Sequence, residues 1–263
     1  MTDGPGHQLA QMREAAPLVQ NITNFVAMNV MANVLLAIGA SPAMVHARAE
    51  AAEFAGIAQA LSVNIGTADP EWGASMIDAA QAMGAQGKPW VLDPVAVGAT
   101  GFRRDLGVRL LACAPTVIRG NASEILALSG GDGSGRGVDS SDPVALAEAG
   151  ARELAQSSGA VVAVTGPIDF VTDGTRAARI ANGHEMMPRV TALGCSLTGV
   201  VAAFCVVAAP FEATVSALAT FGVAGDQAAR QAAGPGSFAM GLIDALHGLT
   251  PRMLDSQARI TPA

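Results

Sequence analysis

Short, almost continuous apolar runs alternate along the chain with segments of helical length. The runs that we predict to be strands lie at residues 17–24, 60–67, 89–94, 116–121 and 160–166. Strands that are apolar on both faces are typical of parallel sheets, which helices cover on each side. The alternation therefore predicts a three-layer α/β/α fold with a mostly parallel central sheet.

The remaining segments complete this predicted architecture. A short extended piece is predicted at residues 41–46, and a hairpin has strands at residues 169–173 and 177–180. The predicted helices lie at residues 9–16, 26–38, 50–60, 72–83, 101–113, 122–128, 143–157, 194–209, 212–233 and 236–247. Residues 129–142, rich in Gly, Ser and Asp, are predicted to be the most mobile segment.

Length and charge limit the possible classes of protein. The 263 residues contain nothing that resembles a linker, so we expect one domain over residues 1–263, with flexible tails at residues 1–8 and 250–263. A net charge of −7 without a basic cluster argues against binding of nucleic acid. The longest apolar run, residues 200–209, ends at Pro210 and is too short to cross a membrane. Without a recognisable secretory signal, we expect a cytoplasmic protein.

Cysteine content and surface composition give two further expectations. Cys113, Cys195 and Cys205 are widely spaced and form no Cys-x-x-Cys pair, which predicts neither a disulfide framework nor a zinc site. We interpret Cys113 and Cys205 as small buried side chains. Because 51% of the residues are hydrophobic and only 14% are charged, we expect other subunits to cover part of the surface.

Several predicted strands end in polar residues. These ends are Asn24, residues 64–67, Asp93, residues 119–121 and residues 165–166. The carboxyl ends of parallel strands meet at one edge of a sheet, where α/β proteins bind their ligands. We therefore expect these residues to lie around one crevice.

Two carboxylates at this edge suggest a metal. Asp93 ends one strand and Glu124 follows the next, and Mg²⁺ prefers such oxygen ligands together with water and nucleotide phosphates. An alternative is structural: Asp93 could cap a strand end, and Asn121 with Glu124 has the spacing of a helix capping box.

Residues 190–199 are, after the two carboxylates, the second segment of the sequence that could bind a ligand. A glycine and small polar residues precede the apolar run at residues 200–209, which predicts a loop that presents its backbone N–H groups at the start of a buried helix. Such a helix start attracts anions. Taken alone, the stretch is more typical of an ordinary turn before a core helix, because such turns far outnumber functional loops. An anion site beside two carboxylates favours phosphoryl transfer.

Five segments together resemble the hydroxyethylthiazole kinase family over residues 18–246. They are residues 21–24 (Asn-Ile-Thr-Asn), 64–67 (Asn-Ile-Gly-Thr), 93–95 (Asp-Pro-Val, followed by Gly98-Ala99), 119–124 (Arg-Gly-Asn-Ala-Ser-Glu) and 194–195 (Gly-Cys). The resemblance implies a ribokinase-like fold, a homotrimer, and Mg²⁺ with ATP as the phosphoryl donor. It also implies phosphorylation of the hydroxyl of 4-methyl-5-(2-hydroxyethyl)thiazole in thiamine biosynthesis and salvage.

The resemblance also implies roles for individual residues. The implied ATP contacts are Arg119, Thr165, Gly166 and Asn121. The implied holders of Mg²⁺ are Asp93 and Glu124. The implied substrate contacts are Met44, Ala192, Asn24, Gly66 and Thr67, although Met44 by itself is typical of a core residue. The implied catalytic residues are Cys195 and Gly194.

Cys195 stands where sugar kinases of this superfamily usually carry an aspartate base. A helix start lowers the pKa of a thiol, whereas nearby phosphates raise it, so the sequence leaves the direction open. We assign the larger role to the backbone amides of residues 192–195 as an anion hole, and a modest activating role to the thiol. Leu193 is bulkier than the residue that the family usually has there.

Two other functions remain open at this point. A related kinase of a hydroxymethylpyrimidine would share the nucleotide half but differ on the acceptor side, where Cys195 and residues 21–24 and 41–44 favour the thiazole. A sensor that binds nucleotide or thiazole without turnover is the non-enzymatic alternative. The presence of Asp93 and Glu124 argues against such a sensor. His46 and His184, which stand singly, are interpreted as structural.

Overall fold

A computed structural model of the chain describes residues 4–130 and 143–263. The strands in these ranges are β1 (Leu18–Ile22), β2 (Ser41–Ala43), β3 (Ala60–Asn64), β4 (Trp90–Asp93), β5 (Val117–Asn121), β6 (Val161–Thr165), β7 (Asp169–Thr172), β8 (Ala177–Ile180) and β9 (Ile260–Pro262). They form one sheet in the order β2-β1-β3-β4-β5-β6-β7-β8-β9. All pairs from β2 to β6 are parallel, and β7, β8 and β9 add antiparallel strands. The predicted mostly parallel sheet is confirmed.

Helices cover both faces of this sheet. In the described ranges they are α1 (Pro5–Ala15), α2 (Met28–Ile38), α3 (Arg48–Ile57), α4 (Pro70–Ala85), α5 (Gly101–Leu111), α6 (Ala122–Leu128), α7 (Pro143–Ser158), α8 (Leu193–Phe204), α9 (Pro210–Ala229), α10 (Pro235–Gly248) and α11 (Pro251–Gln257). A 3-10 turn lies at Met187–Arg189. One core packs under α1, α2, α8, α9, α10 and α11, and the other under α3 to α7.

The burial of the central strands explains why the sequence pattern predicted this fold. Every residue of β3 and of β4 is buried. Side chains of successive strand residues point to opposite faces, so Val91 belongs to the core on one side and Leu92 to the core on the other. A strand that faces two cores has to be apolar on both faces, which gives the nearly continuous runs in the sequence.

The prediction of flexible tails at residues 1–8 and 250–263 differs from the structure over residues 4–8 and 250–263, while residues 1–3 lie outside the described residues. Helix α1 begins at Pro5, and the chain continues after α10 with a helix and an edge strand. The two ends are joined, because the Gly6 backbone N–H donates to the Asp255 carboxylate at 2.8 Å. Thr250 caps α11 by accepting from the Met253 N–H, and Leu254 is fully buried. These ends are ordered by capping, core packing and strand pairing.

Three further sequence predictions concern the mobile stretch, membrane crossing and the extended piece at residues 41–46. Of the stretch predicted to be mobile, residues 131–142 lie outside the described residues. Across the described part of the chain, none of the helices combines the length and the apolar character that a bilayer crossing requires. The short extended piece at residues 41–46 contains β2, which is the edge strand beside β1.

The strand register brings the predicted polar residues together at the carboxyl edge of the sheet. Asn64 and Asp93 are paired across β3 and β4, and Asn121 and Thr165 are paired across β5 and β6. The strand order reverses between β1 and β3, which is the point where open α/β sheets form a crevice. Helix α8 packs against β1, β3 and β4 and begins at this edge. The fold therefore places a helix start beside the polar strand ends.

Candidate active site

A cavity of about 730 Å³ lies at this edge of the sheet. Nine of the residues predicted for the site line it: Asp93, Arg119, Asn121, Glu124, Thr165, Gly166, Ala192, Gly194 and Cys195. Apolar side chains from α8, α9 and the preceding loop line another part of it, among them Val190, Leu197 and Phe221. A volume of this size suits a ligand of nucleotide dimensions, with the polar groups concentrated at the strand ends.

Asp93, the last residue of β4, is completely buried. Its Oδ2 accepts hydrogen bonds from Asn64 Nδ2 at 2.7 Å and from Thr198 Oγ1 at 2.9 Å. Its Oδ1 has no hydrogen-bond partner within the described residues. Burial raises the pKa of this carboxyl, and the charge of Glu124 raises it further, while Arg119 and the two hydrogen bonds oppose the shift. Asp93 therefore presents one buried, unused acceptor oxygen at the cavity.

Arg119 connects three parts of the cavity wall. Its Nη2 donates to Thr165 Oγ1 at 2.7 Å, and its Nη1 lies 3.6 Å from Asp93 Oδ2. Its Nε is buried and has no partner in the described part of the chain. A Cβ on Gly194 would come within 3.0 Å of the guanidinium, so a larger residue there would require the arginine to shift by a few tenths of an ångström. A guanidinium held in this way can neutralise a bound phosphate.

Both carboxylate oxygens of Glu124 accept hydrogen bonds from backbone N–H groups. Oε1 accepts from the Ala96 N–H and Oε2 from the Asn121 N–H, each at 2.9 Å. The Asn121 side chain in turn accepts from the Glu124 N–H, which completes the capping box that the sequence spacing allowed. The structural interpretation of this pair is thus observed. A role of Glu124 toward a metal would have to use the remaining lone pairs of these oxygens.

The start of α8 has an unusual backbone. Ala192 precedes the helix with φ at +66°, a left-handed conformation that costs free energy in any residue with a Cβ. Leu193 begins the helix and is buried in the core, which accounts for its size. The first N–H groups of a helix lack intrahelical partners, so the amides of residues 193–195 are available at the cavity wall. These amides are three of the four, at residues 192–195, that we assign from the sequence to an anion hole.

Cys195 lies in the first turn of α8, beside two carboxamides. Asn24 Nδ2 donates to Sγ at 3.2 Å and Asn64 Nδ2 donates to it at 3.3 Å. The pKa of the thiol is nevertheless raised, first by burial and then by the negative charge of Asp93, against the two hydrogen bonds and Arg119. The structure thus gives the direction that the sequence left open: near neutral pH Cys195 is a thiol.

Comparisons with known proteins show which family the sequence belongs to. A sequence model described as the hydroxyethylthiazole kinase family matches residues 9–252. A hydroxyethylthiazole kinase from Cereibacter sphaeroides is 66% identical over 99% of this chain and 100% of its own length. The chain belongs to the hydroxyethylthiazole kinase family. A relative of the same name from Rhizobium leguminosarum is 63% identical over 98% of both chains.

Solved structures give the same answer for the fold. The structure of a hydroxyethylthiazole kinase protein from Pyrococcus horikoshii superposes with a TM-score of 0.92 at 41% identity and covers 98% of each chain. A pyridoxal kinase from Staphylococcus aureus in complex with ADP superposes with a TM-score of 0.64 at 16% identity, over 94% of this chain and 99% of its own. The second likeness concerns the fold alone. The ribokinase-like α/β/α prediction is confirmed, and the chain is an ATP-dependent kinase.

Four of the predicted site residues do not line the cavity of this family member. They are Met44, Asn24, Gly66 and Thr67. Met44 follows the edge strand β2 and is partly buried against the core. Thr67 accepts from the Phe25 N–H at 3.2 Å, and Gly66 donates its N–H to Asn64 Oδ1 at 2.9 Å. Asn24 contacts a cavity residue through its hydrogen bond to Cys195.

The hydroxyethylthiazole kinase site also contains side chains that sequence reasoning left out. Thr198 lies one helical turn after Cys195 and donates to Asp93, so the i, i+3 spacing could have revealed it. Asp169 lines the cavity and accepts from the Gly166 N–H at 2.9 Å. Burial raises the pKa of Asp169 to about 6, although that hydrogen bond and the charge of Arg119 lower it. No sequence signal distinguishes Asp169 from an ordinary hairpin residue.

The donor set at this site fits a magnesium ion bound mainly by water and phosphates. No cluster of three or more His, Cys, Asp or Glu side chains that could hold a metal occurs in residues 4–130 and 143–263. Asp93 offers its unpartnered Oδ1, and Glu124 lies close enough for its charge to act on Asp93. Mg²⁺ keeps several waters and uses one or two carboxylates together with substrate phosphates. A single free carboxylate oxygen in a nucleotide-sized cavity meets that requirement.

Proposed function

We propose that this chain transfers the γ-phosphoryl group of ATP to the hydroxyl of 4-methyl-5-(2-hydroxyethyl)thiazole, as a step of thiamine biosynthesis and salvage. The observation that carries the proposal is the convergence of three features on one cavity: the free oxygen of Asp93, the guanidinium of Arg119 and the start of α8. Phosphoryl transfer requires positioning and stabilisation of charge, which these groups supply. The family membership names the acceptor.

The phosphates of ATP would bind between Arg119 and the amides of residues 193–195. The arginine Nη2 is already held by Thr165, so little side-chain freedom is lost when a phosphate binds. Backbone amides at a helix start are fixed dipoles that stabilise negative charge as it develops on the transferred group. Gly166 and Asn121, which border the same space, complete the proposed nucleotide contacts.

Asp93 would hold Mg²⁺, directly or through water, with Glu124 as the second carboxylate. These carboxylates would hold the ion, which would supply positive charge to offset that of the phosphates. Within the chain, Asn64 and Thr198 occupy Oδ2 of Asp93 and leave Oδ1 for this purpose. A positive charge near Asp93 also offsets the effect of burial on its pKa and favours the ionised carboxylate.

The hydroxyl of the acceptor would approach Cys195 and Gly194, with Ala192, Asn24, Gly66, Thr67 and Met44 as its proposed surroundings. Since the thiol pKa is raised, Cys195 acts as a hydrogen-bonding partner that orients the hydroxyl, and the anion hole supplies most of the rate. A general base with a high pKa would be mostly protonated at neutral pH and therefore inefficient.

The proposal includes a cytoplasmic homotrimer. Large apolar side chains are exposed on the single chain, including Phe25, Val26, Leu36 and Ile57, each at 59% to 66% of its full accessibility. Burial of such side chains between subunits removes apolar surface from water. Size-exclusion chromatography with light scattering should give three times the mass of the chain, and a monomer would refute the assembly.

A coupled ADP-release assay tests the catalytic proposal and its alternatives. The purified protein is assayed with Mg²⁺ and ATP and with either the thiazole alcohol or a hydroxymethylpyrimidine. We expect ADP release with the thiazole alcohol and much slower release with the pyrimidine. Faster turnover of the pyrimidine would identify the other kinase activity. Binding of ATP without turnover of either alcohol would support the sensor.

A further inference from the structure

The carboxamide of Asn64 is hydrogen-bonded at all four of its donor and acceptor positions. Its Nδ2 donates to Asp93 Oδ2 at 2.7 Å and to Cys195 Sγ at 3.3 Å. Its Oδ1 accepts from Asn24 Nδ2 at 3.0 Å and from the Gly66 N–H at 2.9 Å. The residue is 2% exposed and ends β3, directly beside Asp93 in the register of the sheet. One buried amide thus joins the proposed metal carboxylate to the thiol.

The backbone fixes the orientation of this amide. Gly66 N–H can only donate, so the atom that faces it has to be the oxygen of Asn64. A flipped amide would place its NH₂ group against that N–H and its oxygen against the carboxylate of Asp93. A side chain on Gly66 would come within 2.9 Å of Asn64 Oδ1, which explains the glycine. The two donors of Asn64 are therefore held toward Asp93 and Cys195.

Asn24 provides a natural comparison for Asn64. Its Oδ1 accepts from the Ala27 N–H at 3.0 Å, so its orientation is also fixed by the backbone. Its Nδ2 donates to Asn64 and to Cys195, but not to Asp93. Both asparagines therefore direct an N–H at the sulfur, and only Asn64 also directs one at the carboxylate.

We propose that Asn64 is a positioning residue that fixes Asp93 and Cys195 relative to each other. By occupying Oδ2, it leaves Oδ1 of Asp93, a residue that lines the cavity, without a hydrogen-bond partner, and by donating to Sγ it holds the thiol in place. The inference rests on the proposed function, because it gives Asp93 the metal and Cys195 the acceptor hydroxyl. Side chains that support metal-binding groups in this way affect metal affinity or activity by roughly 10- to 100-fold.

Two isosteric variants test this inference. Asn64→Asp and Asn24→Asp keep the volume and an acceptor oxygen of each side chain, replace the N–H donors by a second carboxyl oxygen, and add a negative charge when ionised. Ser62→Ala is the matched control, because Ser62 is a buried residue of the same strand that donates to Asn21 at 2.7 Å. Thermal unfolding shows whether each variant is folded. Asn64→Ser removes the amide donors without adding a charge, so it is measured beside Asn64→Asp and has to change in the same direction; it also decides the outcome if Asn64→Asp does not fold.

The first readout is the rate at which iodoacetamide alkylates Cys195 in the nucleotide-free protein at one fixed pH, followed by mass spectrometry with Cys113 as the internal reference. Loss of a donor to the sulfur and the added negative charge both make the thiolate less favourable, so we expect alkylation at least about 3-fold slower in both aspartate variants, and slower also in the neutral Asn64→Ser. Ser62→Ala should react like the wild-type protein. An unchanged rate in Asn64→Asp would overturn the proposal.

The second readout is the Mg²⁺ dependence of kinase activity, with kcat and KM determined separately. For Asn64→Asp we expect the Mg²⁺ concentration at half-maximal activity to rise about 10-fold or more, together with a lower kcat. Asn24→Asp should keep the wild-type Mg²⁺ dependence within about 3-fold. An equal change in both variants would contradict the specific link to Asp93. Absence of turnover in the wild-type protein would refute the proposed function, and the alkylation rates would still decide whether Asn64 holds the thiol.

Discussion

Replacement of Glu124 by glutamine separates the two roles that the sequence allowed for this residue. In the structure, both carboxylate oxygens accept backbone N–H groups, from Ala96 and Asn121. Glutamine has the same shape but offers only one acceptor oxygen. Its NH₂ group would face one of the two N–H donors, which would then lose its partner in a buried place.

The expected loss of stability follows from these contacts. A hydrogen bond to a charged group contributes about 1.5–3 kcal/mol, and a buried donor without a partner costs about 1–3 kcal/mol. These effects overlap, because the lost bond and the orphaned N–H concern the same pair of atoms. We therefore expect Glu124→Gln to lower the free energy of unfolding by about 2–4 kcal/mol.

Urea unfolding of the nucleotide-free protein measures this change. Glu71→Gln is the control, since Glu71 is exposed and its ion pair with Arg48 is 3.7 Å long, so its effect should stay within about 0.5 kcal/mol. If Glu124→Gln is as stable as this control and only its Mg²⁺ requirement rises, the capping box is not the main role of Glu124. The argument from the two N–H contacts would then be refuted.

Three further predictions concern other residues of the site. Cys195→Ala should retain measurable kinase activity, while Asp93→Ala should lose it. Equal total loss of activity in two folded variants would contradict this ranking. Because the pKa of Asp169 rises from 3.8 to about 6, the folded state holds this proton more tightly than the unfolded chain. Stability should therefore fall as the pH rises from about 4 to about 6, and Asp169→Asn should remove this fall and stabilise the protein near pH 7 by about 1–3 kcal/mol in urea titrations. A pH profile that is the same in both proteins would contradict this. Ala192→Gly should raise the free energy of unfolding by about 0.5–1 kcal/mol, because glycine relieves the positive φ but costs chain entropy; a loss of stability would show that the loop is not strained.

The fold could be predicted because its signals are local. Apolar runs of strand length alternate with helical segments, and each central strand faces two cores, as Val91 and Leu92 show. The last helix and the edge strand β9 were missed, although Thr250 and Pro251 form a typical helix start. A three-residue edge strand has too short a pattern to detect, and its pairing partner β8 lies far away in the sequence.

The sequence predicted the candidate-site residues that lie at strand ends or at the start of one helix, but not the contacts between them. Asp93, Arg119 and Cys195 meet as expected, because the topology alone brings them together. The contacts that decide their chemistry join distant positions, such as Asn64 and Cys195, which are 131 residues apart. The raised pKa of the thiol also depends on burial that sequence does not give. The place of Met44 outside the cavity likewise depends on how the chain leaves the edge strand.

The central claim is that the chain transfers the γ-phosphoryl group of ATP to the thiazole alcohol, and transfer of a labelled phosphoryl group tests it most directly. The protein is mixed in excess with ATP labelled at the γ-phosphate, Mg²⁺ and 4-methyl-5-(2-hydroxyethyl)thiazole, and the products of a single turnover are separated. We expect the label to appear in the thiazole phosphate in equal amount to the ADP formed. ADP together with labelled free phosphate, or labelled ATP that stays intact while bound, would contradict the account.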